Sequence, residues 1–180
     1  MRILADIGGT YARFAVEESG APVHIKKYAA ADFATFGAAL EQYRAECGIK
    51  ETSELLIATA AHPDEKNIWR FVNKNEWIID PKVLGNVALI LNDFEASTWG
   101  LKGVSTRMPS VLIGPGTGLG LGYVIPGANG IHIQGTQGGH LPAAAVTDEQ
   151  SRVLKAVEKV KQRNGFVVYE DVVSGPGLFN

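Results

Sequence analysis

Apolar runs that end in glycine-rich turns dominate the pattern along this chain. Residues 2–7 form one such run, residues 12–18 return from it, and Gly8-Gly9-Thr10-Tyr11 lies between them. Residues 23–30 follow as a third strand-like segment. Because short apolar or alternating runs bounded by turn residues are typical of strands, the pattern predicts a three-stranded meander. The first strand is expected to be buried on both faces.

The same strand–turn–strand pattern recurs much further along the chain. An apolar run that starts at Val111 enters a turn with five glycines between Gly114 and Gly122, and a second apolar run leaves it. Glycine turns leave backbone N–H groups uncovered, so these groups can converge on an anion, and Thr117 adds a hydroxyl. An ordinary hairpin turn explains this stretch alone equally well. Its recurrence favours a duplicated architecture that binds a nucleotide between the two halves.

Helical periodicity is clearest in two segments. Apolar residues spaced by three and four predict a helix over residues 34–47 that stops at Gly48. Thr147, followed three residues later by Gln150, matches a capping box at the start of a second helix. The apolar face of that helix consists of Val153, Leu154, Val157 and Val160.

Two further apolar runs, residues 55–60 and 87–91, predict strands. Strands that alternate with helices predict an α/β fold with a mixed sheet. The second run ends at Asn92-Asp93, where a helix begins, and binding sites favour such strand ends. The connector at residues 103–109 predicts a boundary between a domain 1–108 and a domain 109–180.

Composition excludes several classes of protein. The 180 residues are 46% hydrophobic and 20% charged, which is ordinary for a globular chain. A net charge of −2 provides no broad attraction to nucleic acid or to an anionic membrane. No apolar run approaches the ~20 residues that span a bilayer. The single cysteine, Cys47, and the early carboxylate of Asp6 predict a cytoplasmic protein without a secretory leader.

Two carboxylates are candidates for chemistry. Asp93 is placed to accept a proton from a substrate hydroxyl as that oxygen attacks phosphorus, although Asn92-Asp93 also suits a helix N-cap. Asp6 ends an apolar strand immediately before the Gly8-Gly9 turn. It can hold Mg²⁺ near phosphates, directly or through water, or simply hydrogen-bond its own turn.

His140 follows Gly138-Gly139 and suits either a sugar hydroxyl or a structural hydrogen bond. The remaining histidines show no metal-binding spacing with each other or with Cys47. The chain lacks the GxxxxGK[ST] and GxSxG motifs, which argues against a P-loop enzyme and an α/β-hydrolase.

Five motifs in this order resemble the bacterial ATP-dependent glucokinase family. They are Ala5-Asp6-Ile7-Gly8-Gly9-Thr10, Asn92-Asp93-Phe94-Glu95-Ala96, Gly116-Thr117-Gly118-Leu119-Gly120, Gly138-Gly139-His140, and Glu170 with Val172-Val173-Ser174-Gly175-Pro176-Gly177-Leu178. The resemblance extends from residue 5 to residue 178. The family is longer, since its remaining half supplies much of the adenine pocket and a last helix that packs on the small domain.

The resemblance implies an actin-like ATPase (ribonuclease H-like) fold, a mixed sheet with β-hairpin phosphate loops, and two domains that close on glucose and ATP. The chain is therefore expected to be truncated, with the small domain complete apart from its last helix and the large domain only partly present. On its own it is expected to be inactive or nearly so. Exposed apolar surface is expected on residues 110–180, and a homodimer is compatible with it.

The resemblance also implies roles for individual residues. Asp93 is the base that deprotonates the sugar 6-hydroxyl, and the cofactors are ATP and Mg²⁺, with Asp6 beside the metal. The residues implied in sugar binding are Asn92, Asn73, Gln137, His140 and Glu170. The residues implied in phosphate binding are Gly8, Gly9 and Thr10 in the first turn and Gly116, Thr117 and Gly118 in the second.

Three positions depart from the family pattern. Tyr11 stands where the family usually has Asn, and Gln137 stands where a sugar-binding Glu is usual. Lys74 aligns with an Asn, so Asn73 or Asn75 fills that role only with a slip in register. Because a lost hydrogen bond costs roughly 0.5–1.5 kcal/mol, these changes predict weaker glucose binding or a preference for another sugar.

The function predicted is a glucokinase that forms glucose 6-phosphate from glucose or a related hexose and ATP. Three alternatives stay open: a kinase for another hexose, a non-catalytic sugar-binding or regulatory relative, and an actin-fold ATPase whose partner is a protein. The Asn92-Asp93 and Gly-Gly-His140 motifs argue against the last, because they suit a polyol.

Overall fold

The computed structural model describes residues 1–50, 54–71, 74–103, 109–128, 130–161 and 166–179. Two compact units divide the chain, Met1–Ala96 and Ser97–Asn180. This boundary precedes the one predicted at 108/109. The reason is that the buried side chain of Thr98 packs against Gly122, where an added Cβ would overlap the Thr98 hydroxyl.

The first unit is built on strands with three helices. The strands are β1 (Arg2–Ile7), β2 (Tyr11–Glu18), β3 (Ala21–Ala29), β4 (Glu54–Thr59), β5 (His62–Pro63), β6 (Trp69–Phe71), β7 (Lys74–Ile79) and β8 (Val87–Asn92). The helices are α1 (Phe36–Cys47), α2 (Pro81–Leu84) and α3 (Asp93–Trp99), the last of which continues into the second unit.

The main sheet has the order β3-β2-β1-β4-β8. β1 pairs antiparallel with β2 and parallel with β4, and β4 pairs parallel with β8, so the predicted mixed sheet is confirmed. β5, β6 and β7 form a separate three-stranded sheet. The parallel register brings the ends of β1, β4 and β8 to one edge, where Ile7, Thr59 and Asn92 lie.

One face of the main sheet carries the core of this unit. Ile3 and Ile7 of β1 are fully buried, as are Leu40 and Tyr43 of α1. The rings of Phe14 and Tyr43 stack with centroids 5.2 Å apart. Burial of each large apolar side chain contributes about 1.5–3 kcal/mol.

Helix α1 ends where the pattern predicts and begins two residues after the predicted start. The Thr35 hydroxyl accepts a hydrogen bond from the Ala38 amide at 3.1 Å, which satisfies one free N–H at the start of the helix. Gly48 ends the helix with a φ of 63°, a conformation that glycine adopts without strain. Cys47 is half-buried and packs against the core, as a packing residue would.

The opposite face of the sheet remains largely uncovered within this unit, and the prediction that β1 is buried on both faces is wrong. Leu4, Leu56 and Leu91 are only half-buried, and Leu89 is 46% exposed. They line an open groove of about 420 Å³. Apolar residues at consecutive positions gave the appearance of two buried faces, although only alternate side chains reach the core.

The second unit contains an antiparallel sheet of order β11-β10-β9. The strands are β9 (Ser110–Pro115), β10 (Leu119–Gly127) and β11 (Gly130–Thr136), and the helices are α4 (Asp148–Lys161) and α5 (Tyr169–Val172). The predicted glycine hairpin is confirmed as β9 and β10 joined by Gly116-Thr117-Gly118. None of the helices in the described residues is long and apolar enough to cross a membrane.

Helix α4 begins with the predicted capping box. The Gln150 amide donates to the Thr147 hydroxyl at 3.2 Å, and the Gln150 side chain accepts from the Thr147 amide at 3.1 Å. Of the predicted apolar face only Val157 is buried, whereas Val153 and Val160 are exposed. Exposed apolar side chains are also present on β9, as expected for residues 110–180.

Candidate functional site

Asn92 and Asp93 lie where β8 passes into α3. The Asn92 side-chain oxygen accepts hydrogen bonds from the amides of Phe94 at 3.0 Å and Glu95 at 3.2 Å. Asn92 therefore caps α3, and a side-chain oxygen of Asp93 accepts from the Phe94 amide at 2.8 Å. The sequence suggested either a helix N-cap or a proton acceptor at Asn92-Asp93. The capping hydrogen bonds belong mainly to Asn92.

The environment of Asp93 raises the pKa of its carboxyl. Partial burial raises the pKa of the Asp93 carboxyl above its usual range, and the negative charge of Asp6 raises it further. The Phe94 amide and His62 act in the opposite direction, but burial dominates. A carboxylate with a raised pKa is a stronger proton acceptor, which is the property that a general base needs.

Asp6 forms an ion pair across the first hairpin. Its Oδ2 lies 2.8 Å from Nη1 of Arg13, the residue opposite it in the β1–β2 register. Both side chains are about half exposed, at 51% for Asp6 and 46% for Arg13. The sequence analysis did not identify this pair, although a two-strand register places residues 6 and 13 opposite each other once the turn is known.

The first turn, residues 8–10, has an open outer side. The Gly8 amide donates to the Tyr11 carbonyl at 3.0 Å and closes the turn. A Cβ at Gly9 would meet no heavy atom within 4 Å, and Gly9 and Thr10 are exposed. The turn therefore has room for an anion against its backbone.

Tyr11, one of the three residues that depart from the family pattern, brings positive charge close to this turn. The ammonium nitrogen of Lys27 lies 3.7 Å from the Tyr11 ring centroid, and the Arg13 guanidinium carbon lies 5.8 Å from it. Both contacts are cation–π interactions. Lys27 is therefore held against the ring of Tyr11, the residue that directly follows the turn.

The second turn, residues 116–118, is closed by a hydrogen bond from the Gly116 amide to the Gly118 carbonyl at 2.8 Å. Thr117 is exposed at its tip. The Gly175 amide donates to the Gly116 carbonyl at 2.8 Å, so the turn is supported from the motif that ends the chain. Gly139 packs against Leu119 at the start of β10 so closely that an added Cβ would overlap the Leu119 carbonyl.

His140 and Glu170 lie side by side in the second unit. The Nε2 atom of His140 is 3.5 Å from Oε1 of Glu170. Hydrogen bonds from the Ala143 amide to the Val167 carbonyl and from the Tyr169 amide to the Leu141 carbonyl, at 2.7 and 3.1 Å, bring their two segments together. The structure thus unites two residues that the sequence places thirty positions apart.

Of the two other predicted sugar-binding residues, Gln137 is among the described residues and Asn73 is not. Gln137 precedes the short helical turn Gly138–His140, and its carbonyl accepts from the His140 amide at 2.9 Å. Gln137 is exposed, as is His140. Asn73 lies outside the described residues, as does the side chain of Lys74.

Asp171 is a site-positioning residue that the sequence analysis missed. It is 97% buried, and its Oδ2 accepts from the Val168 amide at 3.0 Å. This bond fixes the first turn of α5, which carries Glu170. Lys161 approaches the other carboxylate oxygen at 3.9 Å. The sequence signal for this role is an acidic residue at the third position of a helix, where its carboxylate can accept a hydrogen bond from the amide of the residue before the helix.

Asp6 is the residue predicted to hold Mg²⁺. The described residues contain no group of three or more His, Cys, Asp or Glu side chains able to hold a metal ion. Mg²⁺ usually keeps several waters and binds through one or two carboxylates plus substrate phosphates. A single half-exposed carboxylate such as that of Asp6 is compatible with that donor set.

Comparison with known proteins gives consistent results. A sequence model of the glucokinase family matches residues 3–180. A bifunctional protein of Paraburkholderia xenovorans is 31% identical over 196 residues, which cover 98% of this chain and 30% of the relative. A glucokinase of Xanthomonas oryzae pv. oryzae is 30% identical over 207 residues, which cover 99% of this chain and 60% of the relative.

Two solved structures share the fold. A glucokinase from an Antarctic psychrotroph matches with a TM-score of 0.71 and 24% identity, over 98% of this chain and 61% of its own. A glucokinase of Balamuthia mandrillaris in complex with glucose matches with a TM-score of 0.76 and 20% identity, over 98% of this chain and 60% of its own. The predicted actin-like α/β fold is confirmed, and the chain spans less than two thirds of each relative.

Proposed function

The chain belongs to the glucokinase family, and from this premise we propose that its protein transfers the γ-phosphoryl group of ATP to the 6-hydroxyl of glucose. The observation that carries the proposal is the partly buried carboxylate of Asp93, with a raised pKa, at the junction of β8 and α3. The expected products are glucose 6-phosphate and ADP.

In the proposed reaction Asp93 accepts the proton of the sugar 6-hydroxyl. The hydroxyl oxygen forms a bond to the γ-phosphorus as the bond from that phosphorus to the bridging oxygen breaks, and the electron pair leaves with ADP. General-base catalysis of this kind contributes about 10²–10⁴-fold in rate. The hydrogen bond from the Phe94 amide fixes one Asp93 oxygen and orients the carboxylate.

The two glycine turns are proposed to bind the phosphates. Gly8, Gly9 and Thr10 form the first binding turn, and Gly116, Thr117 and Gly118 form the second. The support is the open outer side of the first turn and the exposed Thr117 hydroxyl of the second. Asp6 would hold Mg²⁺ through water, and the metal would neutralise charge on the phosphates.

Asn92, Gln137, His140 and Glu170 are proposed to bind the hydroxyls of the hexose. Because its oxygen is occupied by the α3 cap, Asn92 would donate from its NH₂ group. His140 and Glu170 offer a donor and an acceptor whose nearest atoms, Nε2 and Oε1, lie 3.5 Å apart. Asn73 remains a predicted further contact. The exposed Gln137 lacks the charge of the usual Glu, so a related hexose is the alternative substrate.

A non-catalytic sugar-binding relative is the second candidate. The observation that favours it is the Tyr11 ring with Lys27 stacked on it at the first turn, where the family usually has Asn. Such a protein would bind hexose without turnover. For either candidate we propose a cytoplasmic location, consistent with the single cysteine, and a homodimer remains compatible with the exposed apolar residues.

The test uses a chimera in which these 180 residues replace the matched part of Xanthomonas oryzae glucokinase. Formation of sugar 6-phosphate is measured over a panel of hexoses. The catalytic proposal predicts glucose-dependent product, and Asp93→Asn lowers kcat by at least about 100-fold. Asp32→Asn, at an exposed aspartate of the first unit, is the matched control and leaves kcat unchanged. Hexose binding without product in the parent chimera would favour the non-catalytic candidate.

A further inference from the structure

We propose that Glu170 is a positioning residue that couples hexose binding to the shape of the second glycine turn, residues 116–118. The hexose part of this inference rests on the proposed function. The part that concerns the turn rests only on contacts within the second unit.

The two oxygens of the Glu170 carboxylate have different neighbours. Its Oε2 accepts a hydrogen bond from the Leu119 amide at 2.9 Å, directly after the turn. Its Oε1 lies 3.5 Å from Nε2 of His140. A hydrogen bond to an ionised acceptor is roughly twice as strong as a neutral one, so the Leu119 contact is a firm tether. A carboxylate has about four acceptor positions, which leaves capacity for a sugar hydroxyl.

The turn is shaped to receive this carboxylate. Glu170 lies against Gly118, where an added Cβ would overlap the carboxylate oxygen. The Gly118 backbone does not require positive φ, so the close approach, rather than strain, explains the glycine. The Gly175 amide, donating to the Gly116 carbonyl at 2.8 Å, supports the other end of the turn.

These contacts connect hexose binding by Glu170 and His140 with phosphate binding at residues 116–118. A hydroxyl bound by Glu170 and His140 restricts the carboxylate to one orientation. The restricted carboxylate in turn fixes the Leu119 amide and the residues that precede it. A turn ordered in advance loses less conformational entropy when it binds an anion, so hexose binding strengthens phosphate binding at residues 116–118.

The first experiment measures amide hydrogen exchange at residues 116–119 without any ligand. Glu170→Ala removes the acceptor and speeds exchange at Leu119 by tenfold or more. Glu170→Gln retains an amide oxygen as acceptor and gives an intermediate rate. Glu149→Gln changes the same charge at an exposed site in the first turn of α4 and leaves the rate unchanged. An unchanged Leu119 rate in Glu170→Ala overturns the tether.

The second experiment measures the affinity of the chain for inorganic tripolyphosphate by calorimetry, with and without saturating glucose. This probe tests the turns without the adenine pocket. Glucose lowers the wild-type dissociation constant by about tenfold, within the usual range of coupling between sites. The ratio falls to about one in Glu170→Ala and persists in Glu149→Gln. A tenfold ratio that survives in Glu170→Ala overturns the coupling, because a merely structural residue would leave it intact.

Failure of the proposed function has a different outcome. If wild-type chain binds no hexose by calorimetry, the coupling is refuted together with hexose binding. The exchange rate at Leu119 then decides separately whether Glu170 positions the turn. Equal melting temperatures for Glu170→Gln and wild type confirm that the comparison is made between equally folded chains.

Discussion

Asn92 caps the helix that Asp93 begins. The Asn92 oxygen accepts from the amides of both Phe94 and Glu95, whereas Asp93 accepts only from that of Phe94 among these two. The cap of α3 therefore belongs mainly to Asn92, and substitutions at the two positions separate capping from the base catalysis proposed for Asp93.

Asn92→Ala is expected to destabilise the chain without altering the charge of the site. Loss of a helix N-cap costs about 1 kcal/mol, and the remaining Asp93 bond to the Phe94 amide places the loss at the lower end of the usual range. The corresponding fall in Tm is about 2–4 °C, measured by thermal unfolding. Asn92→Ser keeps a capping oxygen and should retain most of the wild-type Tm. A Tm unchanged in Asn92→Ala would show that the cap is not stabilising.

Asp93→Asn is expected to stabilise the folded chain at neutral pH. Because the pKa of Asp93 is raised on folding, the folded state binds this proton more tightly than the unfolded state does. Stability therefore falls as pH rises from the ordinary carboxyl range through the folded pKa, and ionised Asp93 destabilises the fold at pH 7. The variant keeps an oxygen for the Phe94 amide but carries no charge.

The measurement is Tm as a function of pH for wild type and Asp93→Asn. The variant should melt at a higher temperature than wild type at pH 7. The difference should vanish below about pH 4, where an ordinary carboxyl is protonated in both states. A variant less stable than wild type at pH 7 would contradict the desolvation of Asp93.

Asp6→Asn tests whether Asp6 serves only as the ion-pair partner of Arg13 or also holds Mg²⁺. The Asp6–Arg13 pair is about half exposed, and exposed pairs contribute less than about 1 kcal/mol, so Tm should change little. Binding of tripolyphosphate should lose its dependence on Mg²⁺. Asp64→Asn, in the exposed Asp64–Arg70 pair of the same unit, is the control that should retain this dependence. Equal Mg²⁺ dependence in all three chains would exclude Asp6 as the metal-binding residue.

Gly118→Ala tests the close packing of Glu170 on the second turn. The added methyl group would overlap the carboxylate and should lower the free energy of unfolding by about 1–3 kcal/mol, the usual cost of overpacking. In a Glu170→Ala background the same change should cost little, because the overlapping atoms are gone. A double-mutant cycle by denaturant unfolding measures this coupling. Additive losses would show that the methyl group collides with something else.

The fold was predictable where local signals agreed. Thr35 and Gly48 bound α1, and Thr147 with Gln150 starts α4, because caps act within one turn of helix. Solvent exposure was not predictable in the same way. Leu89 is apolar yet 46% exposed, since burial depends on what packs against the strand and not on the strand's own pattern.

The site was predictable as a set of residues but not as a set of contacts. The motifs identified Glu170 and His140. They did not indicate that Glu170 accepts a hydrogen bond from the Leu119 amide in the glycine hairpin. That bond depends on long-range pairing between residues 141–143 and 167–169, which no local pattern encodes. The Lys27 contact with Tyr11 depends in the same way on the β2–β3 register.

The most direct test of the central claim is an NMR titration of the 180-residue chain with D-glucose, with L-glucose as control. We expect saturable shifts at the amides of Asn92 and Asp93 and at those of His140 and Glu170 with D-glucose, and none with L-glucose. Shifts that do not saturate, or that are equal for the two enantiomers, would contradict the claim that these residues recognise a hexose.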